Sequence, residues 1–175
     1  LGFIINNSFG QAYRLTGERS YKDVVIQASR SLISRYNDDV KAIRSWDHNK
    51  DKWNFPVIID NMMNLELLFW ASEETGDPVY REIAINHANT TLKNHFRDDN
   101  SSYHVIDYNP ETGVVQAKHT HQGIHHESVW SRGQAWGLYG FTMSYRYTKN
   151  PDYLKKAEDI TDYFFSLPNM PDDLV

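Results

Sequence analysis

Apolar positions along this chain fall into paired segments, and the pair occurs three times. Residues 1–16 are apolar on most faces, with Phe3, Ile4, Ile5, Phe9, Ala12, Tyr13 and Leu15, and Thr16-Gly17 marks the stop of a predicted helix. From about Ser20, the residues Val24, Val25, Ala28, Leu32 and Ile33 form one stripe opposite Lys22, Asp23, Gln27 and Arg30, the pattern of an amphipathic helix. Residues 61–75 repeat the apolar segment and stop at Thr75-Gly76. Residues 79–96 repeat the amphipathic one through Val79, Ile83, Ala84, Ala88 and Leu92. The third copy is residues 130–147, a stop at Lys149-Asn150-Pro151, and residues 153–167. Each unit reads as a helical hairpin whose first helix is the more apolar. In a solenoid or toroid that difference makes an inner and an outer helix. The junction tyrosines Tyr21, Tyr80 and Tyr153 are 59 and 73 residues apart, too far and too unevenly for a tetratricopeptide or ankyrin period. Long insertions between hairpins cause this, and insertions on one face of such an array are where sites are built.

Two insertions matter. Residues 38–59 carry Trp46, His48, Trp53 and Phe55. Residues 98–129 alternate from Ser102 to Tyr108, turn at Asn109-Pro110-Glu111-Thr112-Gly113 and resume at Val114-Val115, which predicts a β-hairpin. His119, His121, His125 and His126 follow it.

The most apolar run, residues 55–70, contains one aspartate, Asp60. A carboxylate there is costly unless it is paired, hydrogen-bonded or protonated. Two readings stand side by side: a helix N-cap, and a catalytic carboxyl. Asp60 lies 16 residues before the Gly76 stop. The same offset from Gly17 reaches Leu1, and the corresponding stretch of the third hairpin is residues 131–136. Asp60, Arg132 and the chain at Leu1 are therefore expected to open inner helices on one rim, where helix N-termini favour an acidic ligand. Arg132 reads as an ordinary rim ion pair or, between Trp130 and Trp136, as a carboxylate-binding guanidinium beside a ring that stacks on sugar.

Composition narrows the classes. The 175 residues are 40% hydrophobic, enough for one core. A net charge of −5 gives no footprint for nucleic acid or anionic membranes. The absence of cysteine removes disulfides and thiolate metal sites, and no apolar run approaches the ~20 residues of a membrane span. The opening residues lack the pattern of a secretory signal, and a helix already under way at Leu1 sets the expectation of preceding chain. Aromatics reach 14%, with five Trp and eleven Tyr, an excess that suits a core, an interface or a sugar cleft equally.

The stretch from Asp60 to Leu68 (Asp-Asn-Met-Met-Asn-Leu-Glu-Leu-Leu), His121-Gln122-Gly123, and Trp130-Ser131-Arg132-Gly133-Gln134-Ala135-Trp136 resemble the unsaturated glucuronyl hydrolases, glycoside hydrolase family 88. The opening ten residues resemble the stretch that follows a His-Asp pair in that family. The resemblance covers essentially the whole chain. It implies an all-α (α/α)6 barrel of six hairpins, of which residues 1–175 would supply three, as part of the catalytic domain, with a small β-hairpin insertion. The chain would continue into further hairpins beyond residues 172–175. It implies removal of a 4,5-unsaturated glucuronyl residue from lyase-generated glycosaminoglycan oligosaccharides, by protonation and hydration of a vinyl ether and without a cofactor. Asp60 would be the acid and then the base, in contrast to the two-carboxylate scheme of ordinary glycosidases. Arg132 and Trp136 would recognise the substrate carboxylate and ring. His104 and His121 would hydrogen-bond sugar or water, supported by Gln122, and Trp46 would be a stacking platform. Two departures stand out. The family's second important aspartate would fall immediately before Leu1. The run Ile124-His125-His126-Glu127-Ser128 also replaces a usual Tyr, small residue, Asp pattern, which leaves substrate preference open.

Other classes remain in view. His119, His121, His125 and His126 with Glu127 could hold zinc, or could be loop histidines lining a cleft, since their spacing fits no compact helical ligand pair. A non-catalytic helical-repeat carbohydrate binder would explain hairpins and aromatics but not Asp60. An unsaturated galacturonyl hydrolase acting on pectin fragments would share the fold. Oligomeric state is not legible in the sequence.

Overall fold

The computed structural model describes residues 1–168; Asp172 and Asp173, at the end of the sequence, lie outside that range. The first hairpin begins with α1 (Gly2–Ile5), a π turn (Asn6–Gly10) and α2 (Gln11–Thr16), and returns along α3 (Arg19–Ile33). The first three pieces form one continuous right-handed rod, as the apolar pattern predicts, widened by the π turn. A Cβ on Gly10 would sit 2.9 Å from Asn6 Oδ1, so the glycine makes room for that buried carboxamide. A short ribbon of β1 (Tyr36–Asn37) and β2 (Ala42–Ile43) follows.

The second hairpin is introduced by β3 (Pro56–Ile58) and a 3-10 segment (Ile59–Asn64), then runs as α4 (Leu65–Thr75) and α5 (Pro78–Asn94). The predicted β-hairpin is β4 (Val105–Tyr108) with β5 (Val115–His119), and β3 adds to it as a third strand in the order β3-β4-β5. The sequence pattern does not separate β3 from the helix after it, because a short apolar run reads the same either way. The third hairpin is α6 (Ser131–Thr148) and α7 (Pro151–Ser166).

All three hairpin corners use the same device. Thr16, Thr75 and Thr148 each donate a hydroxyl hydrogen bond to the carbonyl four residues back, at 2.8, 2.6 and 2.8 Å. Each hydroxyl oxygen then accepts from the N–H two residues on, at 3.1, 3.2 and 3.2 Å. The residue between adopts the left-handed conformation: Gly17 (φ 70°), Gly76 (φ 73°) and, at some strain, Lys149 (φ 59°). Asp77 and Asn150 cap the outgoing helices, with proline in the first turn of each. The third junction is thus Thr148-Lys149-Asn150, one hairpin unit in register with Thr16-Gly17-Glu18.

The main core joins the three hairpins through Val25 and Leu32 of the first, Leu65, Leu68 and Phe69 of the second, and Phe141, Tyr153 and Ile160 of the third. A second cluster of Val40, Ala42, Phe55, Val57, Ile106 and Tyr108 sits under the sheet and fixes both insertions to each other. The starts of the inner helices pack together. A Cβ on Gly133, near the start of α6, would lie 3.0 Å from Ile59 Cγ2, and the Phe3 N–H of α1 donates to Asn64 Oδ1 at 3.1 Å.

Candidate active site

Sheet register brings the site together. Val57 and Ile58 pair with Ile106 and Val105, and the ladder continues as the Ile59 N–H donates to the His104 carbonyl at 3.0 Å. Asp60 and His104, far apart in sequence, leave this last rung side by side, with His104 Nε2 3.6 Å from Asp60 Oδ2.

Four polar residues, Asp60, Asn61, Asn64 and Glu66, interrupt the apolar stretch, and they differ in what they bond; Glu66 Oε2 accepts from the Tyr139 hydroxyl at 2.7 Å. Asn61 donates to the Ile43 carbonyl at 2.7 Å, and Asn64 accepts from Phe3. Asp60 Oδ2 is buried and has no hydrogen-bond partner. The capping reading of Asp60 is corrected here: Ile58 occupies the cap position, and Asp60 lies in the first turn and makes no capping bond. The side chain is 17% exposed. Burial holds its carboxyl above the ordinary value of 3.8, against smaller opposing effects from its own backbone N–H and from Arg132. Asp60 lines a cavity of about 310 Å³ with Leu1, Phe3, Arg35, Arg44 and Asn64 among its walls.

His104 is 2% exposed in its side chain, and its tautomer follows from its partners. The backbone N–H groups of His121 and Gln122 donate to Nδ1 at 3.0 and 3.3 Å. A nitrogen that accepts carries no proton, so the neutral ring holds its hydrogen on Nε2, facing Asp60. Burial first, then the charges of His121 and Arg132, lower His104 to about 4 and keep it neutral.

Trp130 is the hub of this wall. Its ring lies 4.6 Å from that of His104, and the Arg132 guanidinium lies 4.7 Å over it. Arg132 Nη2 also donates to Gln122 Oε1 at 3.2 Å. On the next flank Trp46 lies 5.9 Å from His121 and stacks on His48, with its Nε1 buried and unpartnered. Asp60, His104, His121, Gln122 and Arg132 therefore converge, with Trp46 adjoining. Trp136 packs 5.7 Å from Phe3, which itself lines the Asp60 cavity.

The model of the family described as Glycosyl Hydrolase Family 88 matches residues 5–172. The chain belongs to glycosyl hydrolase family 88. It is similar to the unsaturated glucuronyl hydrolase of Formosa agariphila, 56% identical over 99% of this chain and 44% of that protein. It is also similar to the unsaturated chondroitin disaccharide hydrolase of Streptococcus pyogenes, 38% identical over 100% of this chain and 43% of that protein. Among solved structures, a crystal structure of an unsaturated glucuronyl hydrolase specific for heparin superposes with a TM-score of 0.95 at 50% identity, over 98% of this chain and 46% of the other. The chain thus spans less than half the length of these relatives. Its three hairpins have the fold of those α/α barrels, with the β-hairpin as an insertion.

Within the His-rich loop of this family 88 chain, two of the histidines pair with each other. His119 Nδ1 and His126 Nε2 are 3.4 Å apart, and His126 Nδ1 accepts from the Thr120 N–H. Among the described residues no three His, Asp or Glu side chains converge as metal ligands. In the departing run, Ile124 is 96% exposed, and Glu127 pairs with Arg97 at 3.5 Å. Sequence reasoning treats Trp130 as a neighbour of Arg132 and misses its contact with His104; its place at the head of the Trp-Ser-Arg motif is the available signal. Asp107 is a second buried carboxyl, and its oxygens accept from the Asn54 and Phe55 N–H groups, with 2.8 Å to Phe55. Those bonds make it a structural brace for the first insertion.

Proposed function

We propose that residues 1–175 are part of the catalytic domain of an unsaturated glucuronyl hydrolase acting on lyase-generated glycosaminoglycan oligosaccharides. The observation that carries this reading is Asp60: a largely buried carboxyl whose Oδ2 has no hydrogen-bond partner, raised in pKa and lining a cavity. A carboxyl in that setting holds its proton to higher pH than an exposed one, which suits proton transfer to carbon. The proton goes from Asp60 to C4 of the C4=C5 double bond, leaving an oxocarbenium at C5. The Asp60 carboxylate then takes a proton from water as its oxygen bonds to C5, which restores the acid. The hemiketal opens and the rest of the sugar leaves from C1. The scheme uses no cofactor.

His104, neutral with Nε2–H toward Asp60, is suited to donate a hydrogen bond to sugar or water beside the double bond. His121 and Gln122 orient it. Arg132 supplies a guanidinium for the substrate carboxylate, Trp136 packs with Phe3 beside the ring, and Trp46 offers a stacking face to the next sugar. Glycosaminoglycan is favoured as the source because relatives include enzymes named for chondroitin disaccharide and for heparin, and one solved relative from Streptococcus agalactiae is complexed with dGlcA-GalNAc6S.

The test is loss of the ultraviolet absorbance of the conjugated double bond when full-length protein meets unsaturated chondroitin, heparin or pectin disaccharides. Loss on the first two supports the proposal. Loss on pectin alone moves the assignment to galacturonyl ends, and no loss on any rejects an enzyme in favour of a binding protein. Asp60→Asn should remain folded and turn over nothing; retained turnover would remove Asp60 from the mechanism.

A further inference from the structure

His95 lies at the end of α5, is fully buried and makes its hydrogen bonds to Val57, Thr91 and Tyr103 rather than to the residues placed in the site. Its hydrogen bonds nonetheless hold both strands that deliver the site. The ring Nε2 lies 3.1 Å from the Val57 carbonyl, which can only accept, so Nε2 carries the hydrogen and Nδ1 is bare. The His95 backbone carbonyl accepts from the Tyr103 N–H at 2.8 Å, and Phe96 bridges Ser102 one step on. Val57 precedes Asp60 by three residues, and Tyr103 immediately precedes His104. One residue therefore grips the β3 edge through its ring and the strand leading to His104 through its backbone.

The rest of the ring's surroundings are not built for packing alone. Nδ1 is buried with no partner, an arrangement that a purely apolar side chain would avoid. The titratable and charged groups that bear on the ring are His87 on its own helix, His104 and Lys118, and burial is the largest effect, lowering it to about 3, so it stays a neutral donor across the working range. His87 does the matching job eight residues earlier, with Nδ1 accepting from the Ile43 N–H at 3.0 Å in the ribbon that leads to Trp46.

We propose that His95 is a positioning residue for the hydration reaction: its Nε2–H fixes β3 against β4, and so sets the Asp60–His104 separation. This rests on Asp60 being the acid. The side chains of Gln and Asn divide the ring's functions, since a glutamine amide nitrogen falls where Nε2 is and an asparagine amide reaches only to the Nδ1 position. In full-length protein, His95→Gln should keep kcat within about threefold of wild type. His95→Asn should lose about tenfold to a hundredfold in kcat, the scale of an ångström-sized misplacement, with KM nearly unchanged. His95→Leu should behave as Asn does. Equal kcat in the Gln and Asn variants overturns the proposal, as does a loss confined to KM. Failure of the Gln variant to fold overturns it too, because the Nε2–H would then not be the operative group. Wild-type inactivity on every disaccharide fails the enzyme reading instead, a result separate from any of these.

Discussion

Replacing Asp60 by Asn should stabilise the protein while removing its activity. Asp60 Oδ2 is buried without a partner, His104 Nε2 stands 3.6 Å away, and no capping bond is lost, because none is made. An unsatisfied buried polar group costs about 1–3 kcal/mol. With the side chain 17% exposed, the low end applies, so a gain of about 1 kcal/mol is expected at pH 7.5. The amide can turn its oxygen toward the His104 Nε2–H, so no new buried donor is created there. The pH dependence fixes the cause. A carboxyl raised in the folded state favours folding below its unfolded pKa and loses that contribution as pH rises through its folded pKa. The advantage of the Asn variant should therefore be absent below pH ~4, grow above it and level off. His87 and His95 are paired with backbone groups elsewhere and cancel in the difference, and His104, lowered to about 4, bears on it only at the acid end of the range. The assay is urea unfolding of full-length wild type and variant at several pH values between 4 and 7.5, with secondary structure as the signal. A variant less stable than wild type at pH 7.5, or a difference independent of pH, would refute the reasoning and return Asp60 to a structural role.

Two further outcomes follow from packing and burial. Gly137→Ala and Gly140→Ala gain the same ~1 kcal/mol of helix propensity. At Gly137 the new methyl lies 3.3 Å from Phe96 Cζ, a tight contact with the far end of a side chain that can shift by a few tenths of an ångström, and 3.5 Å from Ile160 Cδ1, whereas at Gly140 it collides with Met62 Cβ, which the backbone fixes. The Gly140 variant should be the less stable of the two by about 1–3 kcal/mol in urea unfolding, and equal stabilities would contradict the close approach of α6 to the Asp60 turn. His87, His95 and His104 are lowered by burial to about 4, 3 and 4. Their neutral forms favour folding fully above pH ~6.5, and that contribution drains as pH falls toward 4, at up to about 1.4 kcal/mol per pH unit for each ring. Unfolding free energies measured at pH 7, 6 and 5 should drop accordingly, and a flat profile would mean that these rings are not held neutral.

The hairpins, their stops and their apolar faces were legible in the chain because helix periodicity and turn chemistry are local. Thr16-Gly17 and Thr75-Gly76 announce their corners within a few residues, whereas the third corner hides its threonine behind Lys149 and is recognised only by its hydrogen bonds. The motifs Asp60 to Leu68 and Trp130 to Trp136 pointed to the site. They did not say that Asp60 leaves the cap to Ile58, or that Trp136 turns to Phe3 while Trp130 joins His104 to Arg132.

What the sequence by itself determined is the sequence of elements and the presence of a carboxyl among apolar neighbours. The tertiary structure decided which buried polar groups are satisfied. Asn61, Asn64 and Asp107 find backbone partners on other elements, and Asp60 finds none. Such partners are distant in the chain and meet through strand register and helix packing, so no local pattern encodes them. The same three-dimensional pairing that satisfies the carboxyl of Asp107 leaves Asp60 Oδ2 buried and unpartnered.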